Sequence, residues 1–159
     1  LAAHFGVPYS FAHFITDESG PAMMRSYQMR FQPSELLAKP RGSIGVFVIC
    51  ADTEEEAVRL SASRDLWRVR LDLGQIGPVP TVEEALAYEY SDLELQRRDY
   101  HRRRNIVGAP EQVKKGLEEV LAKYRVEEAV VVTITHDYAA RARSYELLAD
   151  VFRSDPENG

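Results

Sequence analysis

Two histidines stand where apolar runs give out. His136 follows Ala129-Val-Val-Val-Thr-Ile134, and His13 closes a run of aromatic and small residues that begins at Tyr9. An imidazole donates or accepts a proton near neutral pH, so both are candidates for acid–base work or for hydrogen bonding to a bound molecule. The bland alternatives are a loop histidine satisfied by backbone for His13 and a purely structural role for His136. Cys50 lies inside an apolar run with no base visible beside it, so it reads as a small hydrophobe rather than a nucleophile. Asp52 reads as shaping a helix start with Thr53, and Asp137 as capping the last helix. Arg102-Arg103-Arg104 invites a phosphate-binding reading, but a phosphate site also needs convergent backbone donors. Cations at a helix C-terminus are favourable in themselves. Arg141 and Arg143 lie beyond the last strand, where one faces substrate or else pairs with Glu146 or Asp150. No pair of metal-ligand residues has useful spacing, and there is no glycine-rich phosphate loop, so no metal site is expected.

The elements that must hold these residues alternate. Leu1 to Val7 reads as a helix end capped by Gly6, and Tyr9–Ile15 as a strand. Ser19 is a candidate cap for a helix that has Pro21 in its first turn and Met24, Tyr27 and Phe31 on its apolar face. Ile44–Ala51 is the longest apolar run and reads as a buried strand. Thr53 with Glu56 makes a capping box for a helix carrying Ala57, Val58, Leu60 and Trp67. Gly74 to Pro80 is turn-rich. Thr81 with Glu84 is a second capping box, opening one inserted helix that extends to Arg104. Ile106 to Ala109 is a short apolar run, and Pro110 opens a helix with Val113, Leu117, Val120, Leu121 and Tyr124 on one stripe. Ala129–Ile134 reads as a strand buried on both faces. Tyr145, Leu148, Ala149 and Phe152 form the final helical stripe, and residues 154–159 are expected to fray.

The chain has 159 residues, 45% of them hydrophobic, enough for one sizeable core. A net charge of −5 predicts no general attraction to nucleic acid. The single cysteine forms no internal disulfide, which fits a reducing compartment and a cytoplasmic location. No stretch approaches the ~20 apolar residues of a membrane span. Leu1-Ala2-Ala3 lacks an initiator methionine and the charged start of a signal peptide, so a piece of a longer protein is expected.

Strands starting near residues 9, 44, 105 and 130 with helices between them predict an α/β fold with parallel strands. Two of the gaps approach the roughly 30 residues of one unit of a (β/α)₈ barrel. Four such units cannot close a barrel and would leave two exposed edges. The chain therefore reads as residues 1–153 of a single partial domain, the C-terminal half of a (β/α)₈ TIM barrel with strands five to eight. A small open α/β domain is the alternative.

Several stretches in order resemble the bacterial-luciferase-like flavin-dependent monooxygenases. They are residues 2–14 (Ala-Ala-His-Phe-Gly-Val-Pro-Tyr-Ser-Phe-Ala-His-Phe), 27–34, 48–57, and Val107-Gly108-Ala109-Pro110-Glu111-Gln112-Val113, followed by Thr135-His136-Asp137 and residues 143–149. The resemblance implies a (β/α)₈ barrel and reduced FMN supplied by a separate reductase. It implies O₂ addition giving a peroxyflavin, and oxidation of a small organic substrate. A related group uses a reduced deazaflavin for hydride transfer, and non-catalytic flavin-binding relatives exist. A self-standing α/β binding module is a further alternative, and homodimer formation is left open.

Active sites of this barrel class lie at the C-terminal ends of the strands. With the resemblance, that rule makes His136 and His13 the expected catalytic residues. Phe14, Gly108, Ala109 and Thr135 become the expected cofactor-binding residues. Ala109 departs from the family's usual threonine before the proline, a lost side-chain cap that costs ~1 kcal/mol. The family's flavin-phosphate contacts lie largely upstream of Leu1, in the missing N-terminal half, so the fragment alone is expected to be inactive.

Overall fold

The computed structural model describes residues 1–153. Its contacts group the chain into two compact units, Leu1–Phe47 with Gly116–Val132, and Val48–Lys115 with the chain from Thr133 onward.

In the first unit, α1 (Ala2–Phe5) ends at Gly6, whose φ of 61° is the left-handed conformation that a helix C-cap uses. A Cβ there would sit 2.5 Å from the Gln32 carbonyl oxygen, so only glycine fits. β1 (Tyr9–Ala12) pairs in parallel with the start of β2 (Gly42–Cys50), Phe11 opposite Ile44. The predicted strand ran to Ile15. It stops at Ala12 because the His13 N–H turns back to the Phe11 carbonyl at 3.0 Å. α2 (Gly20–Arg30) buries Met24 and Tyr27. Ser19 occupies its N-cap without making the side-chain bond that the sequence suggested. β4 (Glu128–Val132) also pairs in parallel with β2, Ile44 opposite Ala129 and Phe47 opposite Val132. Ile44, Val46 and Phe47 are almost fully buried, while Val130 is 51% exposed. The expectation that the last strand is buried on both faces is therefore corrected: β4 is covered on the side that meets β2 and left partly open elsewhere.

In the second unit, the end of β2 meets β3 (Asn105–Gly108), and the Ala51 N–H donates to the Gly108 carbonyl at 3.2 Å. β4 thus pairs with β2 rather than with β3, its predecessor in the chain, which departs from the consecutive strand order expected of a half-barrel. α3 (Glu54–Asp72) begins at Thr53, whose hydroxyl accepts the Glu56 N–H at 3.2 Å. Only half of the expected capping box forms, because the Glu56 carboxylate is taken by Arg59 at 2.7 Å. Ala57, Leu60, Leu66 and Val69 face the core, and Val58 is 50% exposed.

The single inserted helix expected over Thr81 to Arg104 is two helices, α4 (Val82–Ala87) and α5 (Asp92–Arg102). Tyr88 takes an extended conformation, and Tyr88 and Tyr90 pack edge to face at 4.9 Å against Ala62, Leu66 and Ala85. Ser91 and Glu94 then form a complete capping box that restarts the helix. α6 (Pro110–Tyr124) buries Val113, Leu117 and Tyr124 as its stripe predicts. α7 (Tyr138–Arg153) buries Ser144, Leu147, Leu148 and Val151, so of the expected stripe only Leu148 is buried, while Tyr145 and Ala149 are exposed. The helix is rotated because the Ser144 hydroxyl accepts the Cys50 N–H at 2.9 Å. A hydroxyl bound to buried backbone must face inward.

Candidate functional site

In the first unit, His13 follows β1 and is 5% exposed. Its Nδ1 lies 3.0 Å from the hydroxyl of Tyr124, and the two rings meet edge to face at 5.6 Å. Burial, followed by Asp17 and Tyr9, pushes the Tyr124 phenol up to about 12. A phenol that stays protonated is a strong donor to an imidazole nitrogen. Phe14 is half-buried, and its N–H donates to the Gly45 carbonyl at 3.0 Å, fixing the turn.

In the second unit, Gly108 is buried, and Ala109 starts α6. The Ala109 N–H donates to Gln112 Oε1 at 2.9 Å, and Gln112 Nε2 donates to Glu54 at 2.8 Å. A glutamine three residues into the helix thus supplies one half of a capping box where the missing threonine would have supplied the other. Thr135 donates its hydroxyl proton to the Asp137 carbonyl at 2.8 Å. Asp137 Oδ1 accepts the Ala140 N–H at 2.8 Å, so it is the cap of α7 that its position suggested.

His136 is exposed, and its Nδ1 lies 2.9 Å from the Val79 carbonyl oxygen. A carbonyl only accepts, so Nδ1 carries the proton. In the neutral ring the other nitrogen, Nε2, is then an acceptor and a base. His136 lines two grooves of this unit, of about 420 and 450 Å³, and neither is lined by Gly108 or Ala109.

Arg143, Arg102 and Arg104 are engaged. Arg143 binds Asp52 at 2.7 Å and Glu146 at 3.4 Å, and its guanidinium holds the Asp52 carboxyl below the usual range. Arg102 binds Asp65 at 2.6 Å. Arg104 is buried, with its guanidinium 4.5 Å over the Tyr100 ring and Nη2 2.8 Å from His101. Two of the three consecutive arginines therefore hold the fold together. Among the described residues, no three His, Cys, Asp or Glu side chains gather so as to hold a metal ion. No helix among them is long and apolar enough to cross a membrane.

No family model matches the chain. Known proteins do. It is 44% identical over 153 residues to the uncharacterised protein YwcH of Bacillus subtilis, covering 96% of this chain and 46% of that one. It is 31% identical over 152 residues to the luciferase-like monooxygenase of Escherichia coli K12, covering 95% of this chain and 45% of that one. The crystal structure of apo-MsnO8 superposes with a TM-score of 0.85 at 32% identity, over 98% of this chain and 47% of that chain. The chain belongs to the luciferase-like monooxygenase family. It spans about half the length of the relatives it matches. The oxygenating constituent of 3,6-diketocamphane monooxygenase from Pseudomonas putida, solved with FMN, shares the fold at a TM-score of 0.51 and 18% identity, covering 91% of this chain and 41% of that one.

In this luciferase-like chain, sequence reasoning missed Tyr124 as the partner of His13 and the Gly74–Pro80 segment as the partner of His136. The second had a signal. Two glycines and two prolines surround Ile76, which is 90% exposed. A large apolar side chain kept on such a loop marks a contact surface.

Proposed function

We propose that this chain is part of a luciferase-like flavin-dependent monooxygenase, supplying the C-terminal half of its (β/α)₈ barrel and using reduced FMN and O₂ to oxidise a small organic substrate. The observation that carries the reading is the match along nearly the whole chain to family members, at 31% identity to a luciferase-like monooxygenase and a TM-score of 0.85 to MsnO8. The FMN bound by the diketocamphane enzyme supports a flavin as cofactor.

The chain's own residues do not fit a whole flavin. Its natural phosphate donors, the Ala109 N–H and the Arg102 and Arg104 guanidiniums, are already bonded to Gln112, Asp65 and His101. This reading assigns the phosphate contacts to the rest of the protein. This chain contributes His136, held by the Val79 carbonyl with Nε2 as the group that takes up a proton. It also contributes His13, fixed by Tyr124.

His136→Asn in the full-length protein tests this role. The asparagine amide retains a donor for the Val79 carbonyl but has no base at the Nε2 position. Turnover should fall at least ~10-fold, a barrier change of ~1.4 kcal/mol. The melting temperature should stay nearly unchanged. Unaltered turnover assigns His136 to the scaffold. Turnover that needs reduced FMN and O₂ supports the monooxygenase, whereas oxygen-independent hydride transfer with a reduced deazaflavin replaces it with the deazaflavin oxidoreductase.

A further inference from the structure

The groove beside His136 that Trp67 and the 74–80 segment line has a distinctive chemistry. Trp67 of α3 forms one side, and its indole N–H donates to the Gly77 carbonyl at 3.2 Å, tying the 74–80 segment to the helix. Ile76, Pro78 and Val79 supply apolar surface on the other side. The charged residues in the wall, Arg70 and Glu84, bind each other at 2.8 Å, so they neutralise one another. A neutral ligand suits such a wall better than an ion, since a charged one would have to break that pair. The volume of about 420 Å³ lies within the roughly 300–1,000 Å³ of small-molecule sites.

His136 decides which neutral ligand. Its Nδ1 proton is committed to the Val79 carbonyl, which belongs to the same groove. What the ring offers a ligand is the Nε2 lone pair, and a lone pair recognises a donor. We propose that this groove binds a small, neutral, apolar or aromatic molecule carrying an O–H or N–H, with His136 Nε2 accepting that hydrogen and Trp67 and Ile76 covering the apolar body. This deepens the proposed function by naming a substrate class, and it rests on that reading only for the step from ligand to substrate. The polar group of the ligand is then a proton donor, and His136 acts on it as acceptor and base.

The test uses two probes of one shape, p-cresol and 4-methylanisole, which differ by methylation of the hydroxyl. Each is titrated into the full-length, flavin-free protein, with calorimetry giving Kd. The fluorescence change absent from Trp67→Phe locates the site. The p-cresol Kd should be at least ~10-fold lower than that of 4-methylanisole, the worth of one good hydrogen bond. His136→Asn should erase that preference while leaving 4-methylanisole within about twofold. Ile76→Asp should weaken both probes. In ¹⁵N-histidine spectra of the unaltered protein, His136 Nε2 should resonate as an unprotonated nitrogen and move on adding p-cresol. Equal affinity for the two probes, a preference that survives His136→Asn, or no saturable signal from Trp67 overturns the proposal. Neither flavin nor turnover enters the measurement. A protein that binds p-cresol but oxidises nothing therefore fails as a monooxygenase and not as a binder, and the converse is equally readable.

Discussion

Cys50 shows how one buried residue reports on its surroundings. It is 1% exposed, and burial, followed by the nearby Asp52 carboxylate, pushes its thiol from the ordinary value of 9.0 up to about 11. The unfolded chain ionises this thiol as pH passes 9, while the folded chain resists until about 11. Its contribution to stability is therefore full below pH 9 and lost as pH rises through 11. A thiol reagent at pH 8 should leave the native protein unlabelled and label it at once in denaturant; rapid native labelling would place Cys50 at an open surface instead. Gly20 is the second residue-scale case. A Cβ there would lie 2.6 Å from the Phe11 ring and closer still to the Tyr124 hydroxyl. Gly20→Ala should push Tyr124 off His13 and cost ~1–3 kcal/mol of overpacking. Denaturant unfolding measures the loss, and His13 ring resonances should shift with it.

The pairing of α3 with α5 is electrostatic to an unusual degree. Asp65 is 1% exposed and accepts from Arg102, with Arg64 Nη1 3.7 Å away. Burial lowers the Arg64 guanidinium to about 10 and raises the Asp65 carboxyl, so each ion depends on its partner. Removing one member of such a pair leaves the other uncompensated. Asp65→Ala should destabilise by ~3 kcal/mol, the lower end of the range for buried pairs because Arg102 still reaches water. A change in unfolding free energy under ~1 kcal/mol would rule this out.

His101 of α5 lies 2.5 Å from Asp72 of α3. Burial holds its imidazole below the ordinary 6.5, with Arg68 and Arg104 adding to the effect and Asp72 opposing it. As pH falls through 6.5 the unfolded chain takes up a proton that the folded one refuses. The stability is thus present above that value and lost below it. Melting temperatures recorded from pH 7.5 down to about 5.5 should drop more steeply for the native sequence than for His101→Gln.

At the scale of the molecule, Met29, Leu36, Ile76, Val130 and Tyr138 are all more than half exposed. The proposed half-barrel predicts that the 159-residue chain by itself self-associates or binds a hydrophobic dye. Co-expression with the remaining segment should suppress both. A compact monomer that unfolds cooperatively, by sedimentation and calorimetry, refutes that expectation.

Features set by neighbours a few residues apart were legible in the sequence. Thr53 and Thr81 cap their helices, Gly6 ends α1, Pro110 opens α6 and Asp137 caps α7, because each acts within three or four positions of itself. The apolar run of β2 and the order of strands and helices were legible for the same reason, and so was the family, from stretches in order along the chain. What the tertiary structure decided is where distant groups meet. Tyr124 reaches His13 across 111 positions, and Val79 reaches His136 across 57. Whether an imidazole nitrogen is donor or acceptor depends on that distant partner. So does the face that α7 turns inward, which follows from a bond between Ser144 and Cys50 across 94 positions. Hydrogen bonds of this span leave no periodicity in the sequence, because nothing about either residue alone specifies the other.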